Sequence, residues 1–211
     1  MKISDIKRQK KKSNRVSVYI EGKYSFSLDY DTLMASQLHV GDTVTDEKRN
    51  DLLQKDEFPR ARDYAYSLLS YRDRTEYEIK DRLLTKGFQE NSVKKVLRLL
   101  KERHLIDDSQ FARRWVDDIF LSRPMGRIRV VHELIKRRVK GSIIEEVCEE
   151  KFTPGSELEL ARRAAEKKIH SLEHYQREIV KKKIFSFLKN RGFDFEIIKD
   201  LIGEYFGDDF E

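Results

Sequence analysis

Two adjacent carboxylates, Asp107 and Asp108, stand just ahead of the apolar helical stripe that starts at Phe111. Paired carboxylates can transfer a proton or hold a divalent cation when a fold closes a pocket around them. The same residues also suit a helix start, where a carboxylate meets N–H groups that have no partner in the helix. We favour this structural role, with Asp108 as the cap and Asp107 near the positive end of the helix.

Two other residue types could carry chemistry. His170 and His174 stand four apart, a spacing that can hold zinc, but no cysteine or acid joins them in a recognisable motif. The single cysteine, Cys148, falls on an apolar stripe with Ile144 and Val147, as a core residue does. We therefore expect a protein that is not an enzyme and that uses no metal or cofactor.

Positive charge is concentrated at the start of the chain. The net charge is +6, and residues 1–15 alone carry seven basic residues against one acid. Such a basic tail is either a solvated, disordered terminus or a contact for a polyanion, and both interpretations stay open. In the second interpretation, the polyanion-binding residues are Lys7, Arg8, Lys10, Lys11, Lys12 and Arg15.

A second basic stretch lies in the middle of the chain. Residues 109–141 carry nine basic residues against three acids, and the helical spacing turns many of them away from the apolar stripe. Most charge runs are solvated faces, but this density favours a contact surface for phosphates or acidic groups. This predicted basic face contains Arg113, Arg114, Arg127, Arg129, Lys136, Arg137, Arg138 and Lys140.

Composition indicates the class of protein. Hydrophobic residues make up 38% and charged residues 39% of the 211 residues, so the core must be thin and spread along the chain. One cysteine favours a reducing compartment. The first residues lack the apolar core of a secretion signal, and no stretch of about eighteen apolar residues could span a membrane. We expect a soluble, cytoplasmic monomer with no membrane contact.

An internal repeat organises most of the chain. Its anchors are Phe88, Val139 and Phe193, which are separated by 51 and 54 residues. Matching apolar residues flank each anchor on both sides of a helix break, which chance agreement between amphipathic helices does not readily give. These flanking residues are Ile79, Val130 and Ile184; Leu83, Leu134 and Leu188; and Val93, Ile144 and Ile198.

Each repeat is predicted to contain three helices, the first of them starting at Pro59. Ahead of the repeats, two alternating runs, 16–20 and 24–28, predict a β-hairpin, and a three-residue loop would put all their apolar residues on one face. The fold class is therefore mainly α: a tandem, elongated and curved array of three three-helix repeats behind a small region with a β-hairpin. The predicted ranges are 1–15 for the basic tail, 16–58 for the α+β region, 59–107, 108–153 and 154–211 for the repeats, the last with an acidic C-terminus.

A specific pattern runs through the first two repeats. It contains Leu105-Ile106-Asp107-Asp108, Phe111-Ala112 and Gly126-Arg127-Ile128, and the first repeat adds Lys86-Gly87-Phe88. With this pattern the chain resembles, over about residues 60–207, the RecX family, regulators of the RecA recombinase. In this pattern Asp107, Asp108, Phe111 and Gly126 form the structural motif. The hairpin is similar to the N-terminal extension of some Gram-positive members. One departure is Arg138, where the family often has glycine, so the helix before it either ends differently or runs on to Gly141.

The resemblance implies a non-enzymatic regulator of homologous recombination and DNA repair, linked to the SOS response. Its partners would be the RecA filament and single-stranded DNA, with double-stranded DNA as a further candidate. It would modulate, and most simply inhibit, filament extension, ATP hydrolysis and strand exchange. An alternative is a direct DNA-binding protein, because three-helix units of this size resemble helix-turn-helix folds.

Overall fold

The computed structural model describes residues 1–10 and 14–207, which form ten α-helices and three β-strands. The described residues divide into two compact units. The first unit holds Met1–Asp73 and Ile79–Leu105, and the second holds Arg74–Glu78 and the described residues from Ile106 onward. The mainly helical fold with a small sheet at its start confirms the predicted mainly α class behind a small region with a β-hairpin. None of the helices in the described ranges combines the length and apolarity that a membrane span requires.

The first unit begins with an antiparallel sheet of order β1-β2-β3, formed by β1 (Ile3–Arg8), β2 (Arg15–Ile20) and β3 (Lys23–Asp29). The prediction of a tail over residues 1–15 is therefore wrong for β1. The side chain of Ile3 is only 1% exposed and fixes this strand to the core. Charged side chains on the outward face of an edge strand discourage pairing with other chains. Because of these charges, the sequence of such a strand resembles that of a basic, disordered tail.

A two-residue turn, Glu21–Gly22, joins β2 to β3 where a three-residue loop was predicted. The φ angles of the two residues are 51° and 79°. Positive φ at both positions is the signature of a type I′ turn, one of the two turn types whose twist matches the right-handed twist of the strands. Glycine takes this conformation without strain, whereas Glu21 has to bear a small cost.

A β-bulge then corrects the register of the hairpin. Tyr19 pairs with Tyr24, but the next pair is Val18 with Phe26, so the register shifts between them. The extra residue returns Phe26 and Leu28 to the apolar face, where both are at most 3% exposed. Tyr24 lies before the bulge and is 60% exposed. The prediction that all six apolar residues share one face is thus confirmed for five and wrong for Tyr24.

Two helices follow the sheet, α1 (Tyr30–Ala35) and α2 (Asp46–Leu69). The Oγ1 of Thr45 accepts a hydrogen bond from Lys48 N–H at 3.2 Å and caps α2. Pro59 lies inside α2, so the predicted helix start at this residue is wrong. One buried face continues through the proline, formed by Leu52, Asp56, Ala61 and Ala65.

The first repeat is completed by α3 (Glu76–Thr85) and α4 (Glu90–Glu102), and α4 packs on α2. The carboxylate of Glu57, on α2, accepts hydrogen bonds from Gln89 N–H at 2.6 Å and from the Ser92 hydroxyl at 2.9 Å. Gln89 makes no side-chain cap of its own. The start of α4 is therefore capped by a residue of another helix, which fixes the two helices to one another.

The second unit contains α5 (Asp108–Ser122), α6 (Arg127–Lys136), α7 (Gly141–Lys151), α8 (Pro154–His170), α9 (Arg177–Asn190) and α10 (Phe195–Phe206). All six helices contribute to a single hydrophobic core. Repeats of about fifty residues are marginal alone, and sharing a core buries the faces that each would expose. The largest fully buried side chains of this core are Leu134, Ile184, Leu188, Ile198, Leu201 and Ile202.

One helix in each repeat ends with the same turn. At the end of α3, Gly87 has a φ of 90° and Phe88 N–H donates to Leu83 O at 3.2 Å. This is a Schellman motif, in which a left-handed residue reverses the chain and an apolar pair covers the turn. The repeat anchors found in the sequence are the apolar residues of this motif. The same bond closes α6 and α9, joining Val139 to Leu134 at 3.2 Å and Phe193 to Leu188 at 3.3 Å.

The middle repeat forms this turn without glycine. Arg138 occupies the left-handed position with a φ of 56°, where the other two repeats have Gly87 and Gly192. The helix α6 nevertheless ends at Lys136 and does not run on to Gly141. The hydrogen bonds and apolar pair of the motif hold Arg138 in a conformation that costs an arginine roughly 1 kcal/mol or more.

Candidate functional site

The two carboxylates that begin α5 have exchanged the roles predicted for them. Asp107 is the cap, and its Oδ1 accepts hydrogen bonds from Ser109 N–H at 2.8 Å and Gln110 N–H at 3.0 Å. Asp108 lies in the first turn, and its Oδ1 accepts from Glu76 N–H at 2.8 Å. The capping residue must have an extended backbone just outside the helix, and Asp107, with φ −152° and ψ 109°, fulfils that condition. Both carboxylates are therefore structural, as the sequence predicted.

The bond from Glu76 to Asp108 belongs to a junction inside the second unit. The hydroxyl of Thr75 donates to Arg137 O at 3.0 Å, in the turn that follows α6. Thr75 also accepts from Glu78 N–H at 3.2 Å, as the threonine of a capping box does. The start of α3 thus docks on a helix-end turn and on a carboxylate of the next repeat.

A second junction repeats this arrangement one repeat later. At the start of α6, Gly126 N–H donates to Arg191 O at 3.0 Å, in the turn that follows α9. The N–H of Arg127 donates to the Glu157 carboxylate at 2.8 Å, as Glu76 does to Asp108. Burial raises the pKa of Glu157, and the hydrogen bond from Arg127 N–H opposes this rise. The predicted motif residue Gly126 is therefore a docking point between successive repeats.

Several residues of the predicted basic face form ion pairs within the second unit. The guanidinium of Arg113, on α5, contacts Glu146 and lies 2.9 Å from Glu150, both on α7. Hydrogen bonds to these two glutamates raise the pKa of Arg113. Arg113 therefore fastens α5 to α7, and a phosphate would have to compete with two carboxylates for it.

A similar arrangement occupies the outer side of α6, centred on Glu133. This carboxylate lies 3.0 Å from Arg129, 3.0 Å from Arg137 and 3.5 Å from Lys136. The hydrogen bond from Arg137 is the main cause that holds the pKa of Glu133 below its ordinary value. One acid balances three cations, so this part of the face keeps a positive excess.

The other four residues of the predicted face have different surroundings. Arg114 bonds to Gln110 Oε1 at 3.3 Å, and Arg138 lies 5.8 Å from the centre of the Tyr77 ring. The side chain of Arg127 is exposed and reaches the thiol of Cys148. Lys140 is exposed and has no carboxylate within ion-pair distance among residues 1–10 and 14–207. We call Arg127, Arg138 and Lys140 the open cations of the face, and they lie at the two ends of α6.

The basic residues at the start of the chain also differ from one another in their surroundings. Lys7 pairs with Asp5 at 2.8 Å, and the Arg8 guanidinium lies 4.4 Å from the centre of the Tyr30 ring. Arg15 is buried, with its Nη2 2.9 Å from Oδ2 of Asp56, so its assignment to a polyanion-binding tail is wrong. Lys10 is exposed, while Lys11 and Lys12 lie outside the described residues.

Comparison with known proteins places this geometry in a family. The profile of the regulatory protein RecX N-terminal domain matches residues 1–45, and the profiles of the first, second and third RecX three-helix domains match 61–99, 107–147 and 156–202. The chain belongs to the RecX family. A "Regulatory protein RecX" of Clostridium botulinum is 30% identical over 96% of this chain and 95% of that relative. One of Caldanaerobacter subterraneus subsp. tengcongensis is 33% identical over 92% and 94%.

Two solved RecX structures are also similar. A crystal structure of regulatory protein RecX matches with a TM-score of 0.69 and 26% identity over 95% of this chain and 98% of that one. RecX from Lactobacillus salivarius matches with a TM-score of 0.62 and 25% identity over 71% of this chain and 97% of that one. RecX family membership supports a regulatory role in recombination for this chain.

RecX relatives are named as regulatory proteins. In this chain, residues 1–10 and 14–207 contain no group of three or more His, Cys, Asp or Glu side chains that could hold a metal ion. The thiol of Cys148 is 1% exposed, and burial raises its pKa, so it stays protonated and packs as a core residue. His170 contacts Glu173 rather than His174.

Sequence reasoning missed one cationic group of this RecX family member. Arg123, Lys167, Lys168 and Arg191 line a common recess in the second unit. They come from three separate stretches of the chain, so no local run of charge pointed to them. The four basic residues stand near the ends of three helices, which end at Ser122, His170 and Asn190. This signal can be recognised only after the helix ends are known.

Proposed function

We propose that this chain binds the RecA recombinase filament on single-stranded DNA and regulates it, most simply by inhibiting extension, ATP hydrolysis and strand exchange. The observation that carries the proposal is the match of all four RecX domain profiles along one chain. The regulatory name of the relatives gives the role, and the filament is the partner that this role requires.

The junctions of the second unit support a partner built from repeating subunits. Each junction joins the start of one helix to a turn more than 60 residues away in sequence and to a carboxylate about 30 residues away. Thr75 donates to Arg137 O, 62 residues away, and Arg127 N–H donates to Glu157, 30 residues away. The same kind of contact thus recurs at two places in the second unit, as expected of a chain built from repeats. Recurring units suit a partner whose protomers also recur, as those of a filament do.

The open cations at the ends of α6 supply the chemistry for this contact. A DNA strand or an acidic protein surface is bound by arginine and lysine on a rigid support. Arg127 begins α6, and Arg138 and Lys140 follow its end. Among the predicted basic residues we therefore favour these three as the contact residues, since Arg113 and Arg137 form ion pairs with glutamates.

The test is the rate of ATP hydrolysis by RecA on single-stranded DNA, with this protein added below one molecule per RecA protomer. We expect the rate and the filament length to fall at substoichiometric ratios, because a bound regulator affects several protomers. A matched pair of double variants identifies the contact. Arg127→Gln with Lys140→Gln should weaken the effect, and Lys80→Gln with Lys199→Gln, two exposed lysines elsewhere, should not. An unchanged rate and length at every ratio would refute the proposal.

A second candidate is direct binding to DNA by the three-helix units, favoured by the positive excess around Glu133. Binding to bare duplex DNA separates the two candidates. A sequence-specific DNA-binding protein keeps tight affinity at physiological salt, whereas purely electrostatic binding falls steeply with salt concentration. Tight duplex binding without an effect on RecA would favour this second function.

A further inference from the structure

The recess lined by Arg123, Lys167, Lys168 and Arg191 lies inside the second unit and measures about 170 Å³. It lies beside the C-terminal end of α5, between α8 and α9. No carboxylate contributes to its lining, and the remaining positions are uncharged: Ser122, Pro124, Ala164 and Phe187. Since about 10–15 Å³ of such space is enough for one water molecule, the recess has room for a group as large as a phosphate.

The arginine at the base of the recess is fixed in place. Arg191 donates from Nη1 to Pro124 O at 2.9 Å, and its guanidinium lies 4.8 Å from the centre of the Phe187 ring. The Nζ of Lys168 lies 6.0 Å from the same ring centre. The ring and the carbonyl hold Arg191 without neutralising it, so its charge remains available to a ligand.

The cations of the recess are not compensated by the protein. Burial lowers the pKa of Arg191, and the nearby charge of Arg123 lowers it further. Within residues 1–10 and 14–207, none of the four has a carboxylate within 4.0 Å, whereas Arg113, Arg129, Arg137 and Arg162 of the same unit all do. Holding like charges together costs electrostatic free energy, which an anion bound between them would offset.

We propose that this recess binds a phosphate group of a single DNA strand. Arg123 and Arg191 provide forked N–H donors that match phosphate oxygens, and Lys167 and Lys168 provide point charges at the rim. The choice of DNA over another phosphate-bearing ligand rests on the proposed function, which brings a DNA strand to this protein. The site itself rests on the uncompensated cations.

The main test compares two double variants of the full chain for binding to a fluorescent oligothymidylate across a series of salt concentrations. Lys167→Gln with Lys168→Gln removes two charges from the recess, and Lys80→Gln with Lys199→Gln removes two exposed charges elsewhere. The recess holds one phosphate group in this proposal, and each phosphate contact on a single strand contributes about 0.7 to the log–log salt slope. The recess variant should therefore lose up to about 0.7, or roughly fivefold in affinity at 0.1 M salt relative to 1 M. Equal slopes and affinities for the two variants would overturn the proposal.

Inorganic phosphate tests the recess separately from the strand. Its addition to the wild-type protein should shift the Nε–H NMR signals of Arg123 and Arg191 in the same direction as the oligonucleotide does. An oligonucleotide that leaves both signals in place would contradict the site. A recess variant that loses filament binding but keeps its affinity for bare DNA would assign the recess to protein carboxylates and would also overturn the proposal.

The RecA assay then separates the two proposals. If the wild-type protein inhibits ATP hydrolysis while the recess variant binds DNA as the control does, the phosphate site is wrong and the proposed function stands. If the wild-type protein leaves RecA unaffected while the recess variant loses DNA affinity, the proposed function is wrong and the site stands.

Discussion

Gly126 lies directly against Gly192, in the turn after α9, although 66 residues separate them in sequence. A Cβ atom at position 126 would overlap Gly192 O and Phe193 Cα, and a Cβ at 192 would overlap the backbone of Arg129. The absence of both side chains lets the N–H of Ile128 reach Gly192 O at 3.2 Å. This close approach joins the second repeat to the third.

The first prediction concerns this approach. Gly126→Ala should destabilise the second unit by about 3 kcal/mol, because the methyl group meets backbone that cannot move aside like a flexible side chain. At this chain length the melting temperature should fall by roughly 6–12 °C. Circular dichroism during heating measures the change.

Gly141→Ala is the matched control, since a Cβ at that position meets nothing within 4 Å. Gly141 begins α7, so alanine there should leave stability unchanged or raise it by about 0.5–1 kcal/mol. Equal melting temperatures for the two variants would show that the junction tolerates a side chain.

A second prediction concerns the buried pair of Arg15 and Asp56. Asp56 is 0% exposed and accepts hydrogen bonds from Arg15 Nη2 at 2.9 Å and from Asp29 N–H. Removing one partner leaves the other charge buried without compensation, so Asp56→Ala should cost about 3–5 kcal/mol. Asp51→Ala is the control, because its pair with Lys55 is more than half exposed and contributes less than about 1 kcal/mol. Thermal melting of both variants decides whether this pair holds the sheet to α2.

The pair of Arg15 and Asp56 also changes what we expect when the start of the chain is deleted. Deleting residues 1–15 removes Arg15 and the strand β1, whose Ile3 is 1% exposed. The deletion should therefore unfold the sheet, in addition to any loss of DNA affinity. Near-native thermal stability of the deletion variant, with only DNA binding lost, would restore the interpretation of this region as a tail.

The repeats were predictable from sequence because their signal is local and periodic. Leu83, Leu134 and Leu188 are all 0% exposed, and each stands five residues before an anchor that closes the same turn. An apolar pair that covers a left-handed turn restricts residue type at both positions, so it leaves a pattern that recurs at each repeat.

The electrostatic features were not predictable, because they depend on partners distant in sequence. Arg113 finds Glu150 37 residues away, and Arg15 finds Asp56 41 residues away. A run of basic residues shows which face is charged but not which charges are balanced. For the same reason the recess at Arg191 was missed, since its cations meet only after the third repeat folds.

The third prediction concerns the strained turn in the middle repeat. Arg138→Gly should stabilise the second unit by about 0.5–1 kcal/mol, since glycine adopts positive φ without a steric cost. The lost contact with Tyr77 offsets part of this gain, because an exposed cation–π pair contributes about 0.5 kcal/mol. Gly87→Ala, at the equivalent position with a φ of 90°, should have the opposite sign. Urea denaturation of both variants tests this, and the same sign in both would contradict the equivalence of the turns.

The last prediction concerns the pH dependence that Glu157 confers on the second junction. Burial raises the pKa of Glu157 in the folded state, while the unfolded chain keeps an ordinary value near 4.5. Between these two values the folded state binds more protons than the unfolded state, so the contribution of Glu157 to the free energy of unfolding falls as pH rises. Below the window both states are protonated, and above it both are ionised and the cost of burying the charge is complete.

Two substitutions separate this charge effect from the hydrogen bond. Gln at position 157 keeps an oxygen that accepts from Arg127 N–H but carries no charge, so Glu157→Gln should be at least as stable as the wild type at pH 7 and should lose this part of the pH dependence. Glu157→Ala leaves the N–H of Arg127 without its acceptor and should cost about 1–3 kcal/mol where Glu157 is protonated. The cost should be smaller at higher pH, where the wild type buries a charged carboxylate. Urea denaturation from pH 4 to pH 8 measures both. A glutamine variant that is less stable than the wild type at pH 7 would show that the ionised carboxylate itself stabilises the junction, as a negative charge at a helix N-terminus can.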